Sequence, residues 1–277
     1  MQRRVRRRVA VGAIAVAVVV AGLVVTRVGT STPRADPDPS CTGTAGTAEF
    51  TVDLAQGSNA ATIAAVGKRK GMSDHAVTVA LAAALQESRL RNLDYGDRDS
   101  VGLFQQRPSQ GWGTPAQLTN PRYAATSFYG ALAEVPGWET MDVTEAAQHV
   151  QRSAAPDAYA RWEPEARVLA QALTGEVPAG FACRFTSPRS VTGIGTLGAA
   201  MTGELGPSSV GVEVTAERGW AVAGWLVGHA HAYRITEVTF AGQRWTPSSG
   251  KWEAFQPVRN QVRLRRADVR AGAELTT

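Results

Sequence analysis

The sequence predicts an α+β protein: a mainly helical domain, then a small α+β domain, both behind an N-terminal membrane-spanning helix. Three observations carry this. Val9 to Thr26 is an unbroken apolar run. From Asn59 to Thr174 apolar residues recur at helical spacing. Beyond about residue 210 several segments alternate as strands do. The implied organisation is a signal anchor over 1–28, a flexible spacer over 29–58, a helical domain over 59–175, a linker over 176–190 and an α+β accessory domain over 191–277.

The 277-residue chain has a formal net charge of +5 and a pI near 9.6, a balance often met in nucleic-acid binders. The distribution argues against that class. Residues 1–34 hold seven of the 29 basic side chains and no acid, which leaves 22 basic against 24 acidic residues beyond them, a net of −2. No Lys/Arg stripe crosses that remainder, so no nucleic-acid partner is expected. Five arginines between Arg3 and Arg8 precede VAVGAIAVAVVVAGLVVT. As a helix this run would span roughly 27 Å, close to the ~30 Å hydrocarbon core. The arginines would hold the N-terminus in the cytoplasm and send the rest outside. The expected location is the cell membrane, single-pass, with extracellular C-terminal domains. A secreted protein after signal cleavage is the competing reading, although Thr30-Ser31-Thr32-Pro33 offers no clean Ala-x-Ala site.

Cys41 and Cys183 both follow the run. In an oxidising compartment an even pair reads as a disulfide, here tying the start of the helical domain to its end. One distant Cys pair is too few ligands for zinc, and His75, His149, His229 and His231 show no metal-ligand spacing. No metal or cofactor is expected.

In the helical domain, Asn59 can cap a helix over Ala60–Lys70, closed by Gly71. Ser73 caps a longer one from Asp74 to about Arg89, with Asp74 at its positive end. Val77, Val79, Ala80, Ala83 and Ala84 surround this helix too fully for a surface position, so it is expected at the centre. Asn120-Pro121 opens a helix to about Leu132, and Asp142 or Thr140 opens another to about Arg152. Pro156 and Pro164 start the segments carrying Tyr159, Trp162 and Ala166–Leu173. Gly175 to Arg189 is rich in Gly, Pro and Ser. After it Val210–Val214, Ile235–Phe240 and Val262–Arg266 read as strands, Ala241-Gly242 as a turn, and Trp220–Tyr233 as an amphipathic helix.

Glu87 stands at the polar end of the central helix, directly after Leu81-Ala82-Ala83-Ala84-Leu85 and Gln86. Burial against apolar groups raises a Glu pKa, so such a carboxyl can keep its proton near neutral pH and deliver it to the leaving oxygen of a glycosidic bond. Glu87-Ser88, with Gly102-Leu103-Phe104-Gln105 fifteen residues on, resembles the Glu-Ser and Gly-Leu-(Met/Phe)-Gln motifs of soluble lytic transglycosylases and goose-type lysozymes. The stretches GDRDSVGLFQQRPSQGWG, NPRYAATSFYGAL and AAQHVQRSAAPDAYARWEPEA are similar to an actinobacterial branch of that lysozyme-like superfamily, over roughly residues 60–174.

The resemblance implies a lysozyme-like fold and cleavage of the β-1,4 bond between MurNAc and GlcNAc in peptidoglycan. Glu87 would act as acid and then base, and Ser88 would orient it. Gly102 and Gln105 would line the sugar groove, with Leu103, Gln106 and Gln151 in the same substrate-binding set. Phe104, Trp112, Tyr129, Tyr159 and Trp162 are the aromatic candidates for stacking on sugar rings; taken alone each reads as core sooner than as groove, and Trp112, in a Gly-rich loop that exposes it, is the leading one. The chain departs from the family at Val150-Gln151-Arg152-Ser153, where a Tyr-Asn-Ala-Gly motif is usual, and at Arg107-Pro108-Ser109. A second carboxylate would decide the product. An inverting hydrolase needs a base roughly 6.5–9.5 Å from the acid, whereas a transglycosylase works with one Glu. Asp94, Asp97 and Asp99 lie in the loop that would supply the base, with Asp97 the candidate, though short acidic loops also serve as turns.

Residues 210–270 resemble a small module at the C-terminus of actinobacterial cell-wall proteins, which implies a targeting, binding or assembly role. The expected partners are peptidoglycan glycan strands, the membrane through the N-terminal helix, and envelope proteins. The rival function is a wall-binding or assembly protein that uses the same groove without cleaving.

Overall fold

The first described element is a hairpin. A computed structural model describes residues 38–186, 196–207, 210–256 and 260–267; the apolar run Val9–Thr26 lies outside them. Strand β1 (Ser40–Ala45) and strand β2 (Ala48–Val52) pair antiparallel around Gly46, whose φ of +62° the tight turn requires. Strand β3 (Phe181–Arg184) adds antiparallel to the other edge of β1, giving the order β2-β1-β3. In that register Cys41 faces Cys183, and the two form a disulfide with an S–S length of 2.03 Å.

The described part of the expected spacer over 29–58 is therefore structured, and the reading is corrected there. The next helix also starts earlier than expected. Helix α1 (Leu54–Arg69) is capped by Asp53, whose side chain accepts from Gln56 N while Gln56 reaches back to Asp53 N. Asn59 lies inside this helix, and its amide donates to Leu90 O at 2.8 Å. It holds the chain leaving the next helix rather than capping its own.

Helix α2 (Asp74–Ser88) begins at Ser73 as expected, and every residue from Ala76 to Leu85 is buried. Helix α3 (Pro115–Leu118), helix α4 (Pro121–Ala133), helix α5 (Val143–Gln151), a 3₁₀ segment over Pro156–Trp162 and helix α6 (Glu163–Thr174) follow. Helices α1, α4, α5 and α6 all pack against α2, which makes it the axis of the core. The sequence signals at Asn120 and Asp142 mark the N-caps of α4 and α5.

The C-terminal third is integrated with this core. It comprises helix α7 (Leu197–Leu205), helix α8 (Ala216–Gly228), helix α9 (Ala230–Tyr233), strand β4 (Ile235–Phe240), strand β5 (Gln243–Trp245), strand β6 (Trp252–Ala254) and strand β7 (Arg263–Arg266). The strands form an antiparallel sheet of order β6-β5-β4-β7. The expected amphipathic helix over Trp220–Tyr233 is two helices, and α8 is buried on all sides from Gly219 to Gly228. Helices α1 and α6 cover part of its surface and β4 another. Gly228 permits the approach to α1, since a Cβ there would lie 2.8 Å from Ala61 Cβ. Val210–Val214 makes only isolated bridges, Val210 to Val262 and Glu213 to Gln261.

Asp38–Thr277 clusters as one unit, so a separate accessory domain over 191–277 behind a linker over 176–190 is also corrected. The physical reason lies in β3, inside that supposed linker. Trp245 Nε1 and Trp252 Nε1 donate to Cys183 O and Phe181 O, both at 2.9 Å, so the second sheet is pinned to the first. The class is mixed α/β with two small sheets. Among the described residues no helix is long and apolar enough to cross a membrane.

Candidate active site

Glu87 occupies the last turn of α2, where the helix leaves the core. The turn ends in two left-handed residues, Arg89 (φ +56°) and Leu90 (φ +59°), whose N–H groups bond to Leu85 O and Ala84 O. Burial, the larger influence, pushes the Glu87 carboxyl above its ordinary value of 4.5. Hydrogen bonds from Tyr159 and then Gln151 pull the other way without cancelling it. The Tyr159 hydroxyl donates to Glu87 Oε1 at 2.8 Å. Tyr159 itself is buried; burial first, and then the Glu87 charge, hold its own proton firmly on. The Gln151 amide donates to Phe104 O at 2.8 Å, which ties the end of α5 to the Gly-Leu-Phe-Gln turn.

That turn is mostly scaffold. The Ser88 hydroxyl donates to Leu103 O at 2.7 Å and shares its proton with Ala84 O at 3.2 Å. Among the described residues it makes no hydrogen bond to Glu87, so it positions the turn rather than the carboxyl. Gly102 has φ +80°, and a Cβ there would lie 2.2 Å from Leu118 O. Its N–H is spent on Leu93 O at 2.6 Å and does not face a groove. Leu103 and Phe104 are core: both are essentially inaccessible, and Phe104 stacks on Phe128 with centroids 4.7 Å apart. Gln106 is buried, with its Nε2 on Ala124 O at 3.5 Å and its Oε1 unpaired. Gln105 is the accessible member. It sits at φ +47°, and its Nε2 bridges Gly102 O and Tyr95 O at 3.1 and 3.3 Å. For Gly102, Leu103, Phe104 and Gln106 the substrate-contact reading is corrected. The segment packs its side chains inward because it must cover the open end of α2.

A hollow of about 680 Å³ runs from Gln151 past Arg152 to Trp112, also lined by Gln110, Glu134 and Val135. Trp112 is half-buried against the core, with its remaining surface on this hollow. Gln151 thus joins the wall of the hollow to the Gly-Leu-Phe-Gln turn. Trp162 is engaged elsewhere: the Arg89 guanidinium lies 4.0 Å from its ring centroid, and its Nε1 donates to Gln86 Oε1 at 3.0 Å. Tyr129 is core, its hydroxyl on Ile63 O at 3.0 Å. Tyr95, outside the predicted set, stands in solvent at 68 % exposure. An aromatic set among Asp, Gly and Arg was the available signal.

The acidic loop divides. Asp97 has its side chain 93 % exposed, and among the described residues its one ion pair is a loose contact with Arg98 at 3.9 Å. Asp99 is locked by Arg107 Nε and Ser109 N, both at 2.7 Å, and Arg107 first of all holds it well below the usual carboxylate range. Four of the non-glycine residues with positive φ border this constellation: Arg89, Leu90, Gln105 and Arg152. Each such residue costs about 1–3 kcal/mol and is held by surrounding structure, a pattern concentrated at functional sites. Among the described residues no group of three or more His, Cys, Asp or Glu side chains is arranged to hold a metal ion. No family model matches the chain, and no curated protein is significantly similar to it.

Proposed function

We propose that the protein cleaves the β-1,4 MurNAc–GlcNAc bond of peptidoglycan, with Glu87 as general acid and then base. One observation carries the reading: a single half-buried carboxyl, lifted by burial above its ordinary pKa and held by the Tyr159 hydroxyl at 2.8 Å. A general acid must hold its proton near working pH and keep a defined direction, and this environment favours both. The lysozyme-like fold implied by Glu87-Ser88 and Gly102–Gln105 belongs to the same proposal, as does an extracellular site tethered by Val9–Thr26. Gln105, Gln151 and Trp112 are the residues best placed to touch a glycan.

The state of the acidic loop favours the transglycosylase form, in which the substrate's own groups complete the displacement and leave a 1,6-anhydro sugar. Asp99 is taken up by Arg107 and Ser109, and Asp97 is unconstrained in solvent. Mass spectrometry of digests of purified cell wall tests this. Anhydro-muropeptides from wild type, unchanged by Asp97→Asn and lost in Glu87→Gln, are expected. Binding to insoluble wall with no released fragment would instead support the rival reading of a non-cleaving wall-binding or assembly protein.

A further inference from the structure

Away from Glu87, a hollow of about 580 Å³ opens between the C-terminal end of α1, the start of α4 and α7. Its lining includes Arg69, Lys70 and Arg122 and no carboxylate. The neighbouring cation shows that this is not general. Lys68 pairs with Asp74 at 2.9 Å and Glu217 at 3.1 Å, whereas among the described residues Arg69, Lys70 and Arg122 reach no acid. Arg69 and Lys70 have a structural use, since cations suit a helix C-terminus. Arg122 has the opposite placement. It lies in the first turn of α4, adding positive charge to the positive end of the helix dipole. Asn120 already caps that helix by accepting from Arg122 N and Tyr123 N.

Two guanidinium groups also converge on one residue. Arg69 Nη1 donates to Gly203 O, and a Cβ on Gly203 would collide with the Arg122 guanidinium. Two like charges brought together on an accessible surface, with no acid between them, are relieved by an anion. Two planar forks and one ammonium match the several oxygens of a tetrahedral phosphate better than the single face of a carboxylate.

We propose that this hollow binds a phosphate group, as a phosphomonoester or phosphodiester, held by Arg69, Lys70 and Arg122. The site is independent of the chemistry at Glu87 and stands whether or not the protein cleaves glycan. The test is titration of the full chain with inorganic phosphate and with glycerol 3-phosphate at low ionic strength, followed by heat and by amide NMR. Saturable binding is expected, with shifts confined to residues around 66–70 and 116–126. Arg122→Gln and Lys70→Gln should each weaken it about tenfold, and added salt should weaken it further. Both side chains are exposed, so an unchanged melting temperature confirms that the variants fold. Lys251→Gln, an exposed cation outside the hollow, should bind as wild type does.

A second arm uses vesicles of phosphatidylglycerol, comparing wild type with Arg122→Gln so that the apolar run Val9–Thr26 contributes equally to both. Vesicle binding lost in Arg122→Gln, without saturation by soluble phosphates, assigns a lipid headgroup; saturation by the soluble probes alone assigns a free or polymeric phosphate. Equal weakening by Lys251→Gln, or no saturable binding of any phosphate probe, overturns the proposal.

Discussion

Removing the Tyr159 hydroxyl tests the acid directly. In Tyr159→Phe the ring keeps its place in the core, and what disappears is the O–H donor 2.8 Å from Glu87 Oε1. That donor favours the ionised carboxylate, so its loss moves the Glu87 pKa further up, in the direction burial already pushes it. A hydrogen bond to a charged group contributes about 1.5–3 kcal/mol, and water entering this half-open site should replace about half of it. The remainder, about 0.8–1.5 kcal/mol, is a factor of about four to twelve in the protonation equilibrium. On the alkaline limb of the kcat/KM profile, where activity falls as the acid loses its proton, the variant should retain about four- to twelvefold more of its own maximal rate than wild type at the same pH. The maximum itself should drop, because Tyr159 also aims the carboxyl. The side-chain carboxyl ¹³C shift of Glu87 follows the same titration without relying on turnover. A limb and a titration that stay in place, or move to lower pH, would refute the assignment of Tyr159 as a donor to the acid.

Glu87→Gln should lower turnover by about 10²-fold or more, the usual weight of a general acid. It should also change stability with a defined sign. Because the folded pKa is raised, the stabilising difference belongs to the protonated form; wild type loses it as pH rises from the ordinary 4.5 through the raised value. The melting temperature of the variant relative to wild type should therefore climb across that window, and a flat difference would contradict buried ionisation. Replacing both cysteines by alanine opens a crosslink spanning 142 residues, which the chain-entropy relation values at about 5 kcal/mol. For a unit of this size the melting temperature should fall by about 10–20 °C, and a fall within about 3 °C would show that the β1–β3 pairing suffices alone. Phe104→Ala should destabilise by about 3–5 kcal/mol as a core cavity. Phe104→Leu should leave KM within about twofold, whereas a sugar-stacking role would raise it much further.

Several features were legible before any coordinates. The all-round apolar pattern of α2 announced its central position, and Glu87, the acid near its exit, follows from that pattern plus one polar position. The caps at Ser73 and Asn120 are local chemistry, readable within four residues. The Asp53–Gln56 capping box was equally local but sat in a Thr/Gly-rich context that reads as spacer. The same reasoning that placed α2 applied to WAVAGWLV, and treating Trp220–Tyr233 as amphipathic overlooked it. Paired cysteines indicated a bond, though not that they would be directly opposed across a sheet.

The sequence by itself singled out Glu87 as the candidate acid and determined the order of the helices and the disulfide pair, because each rests on short-range periodicity or on residue chemistry. Only the tertiary structure decided what surrounds the acid. Tyr159 lies 72 residues from Glu87 along the chain and touches it. Phe104 and Trp112 carry the same kind of apolar ring, yet one is core and the other borders a hollow. Asp97 and Asp99 differ by two positions, but one stands in solvent and the other is bound by Arg107. These distinctions depend on which distant elements close over a residue, and burial by distant elements leaves no periodic trace in the residue's own neighbourhood.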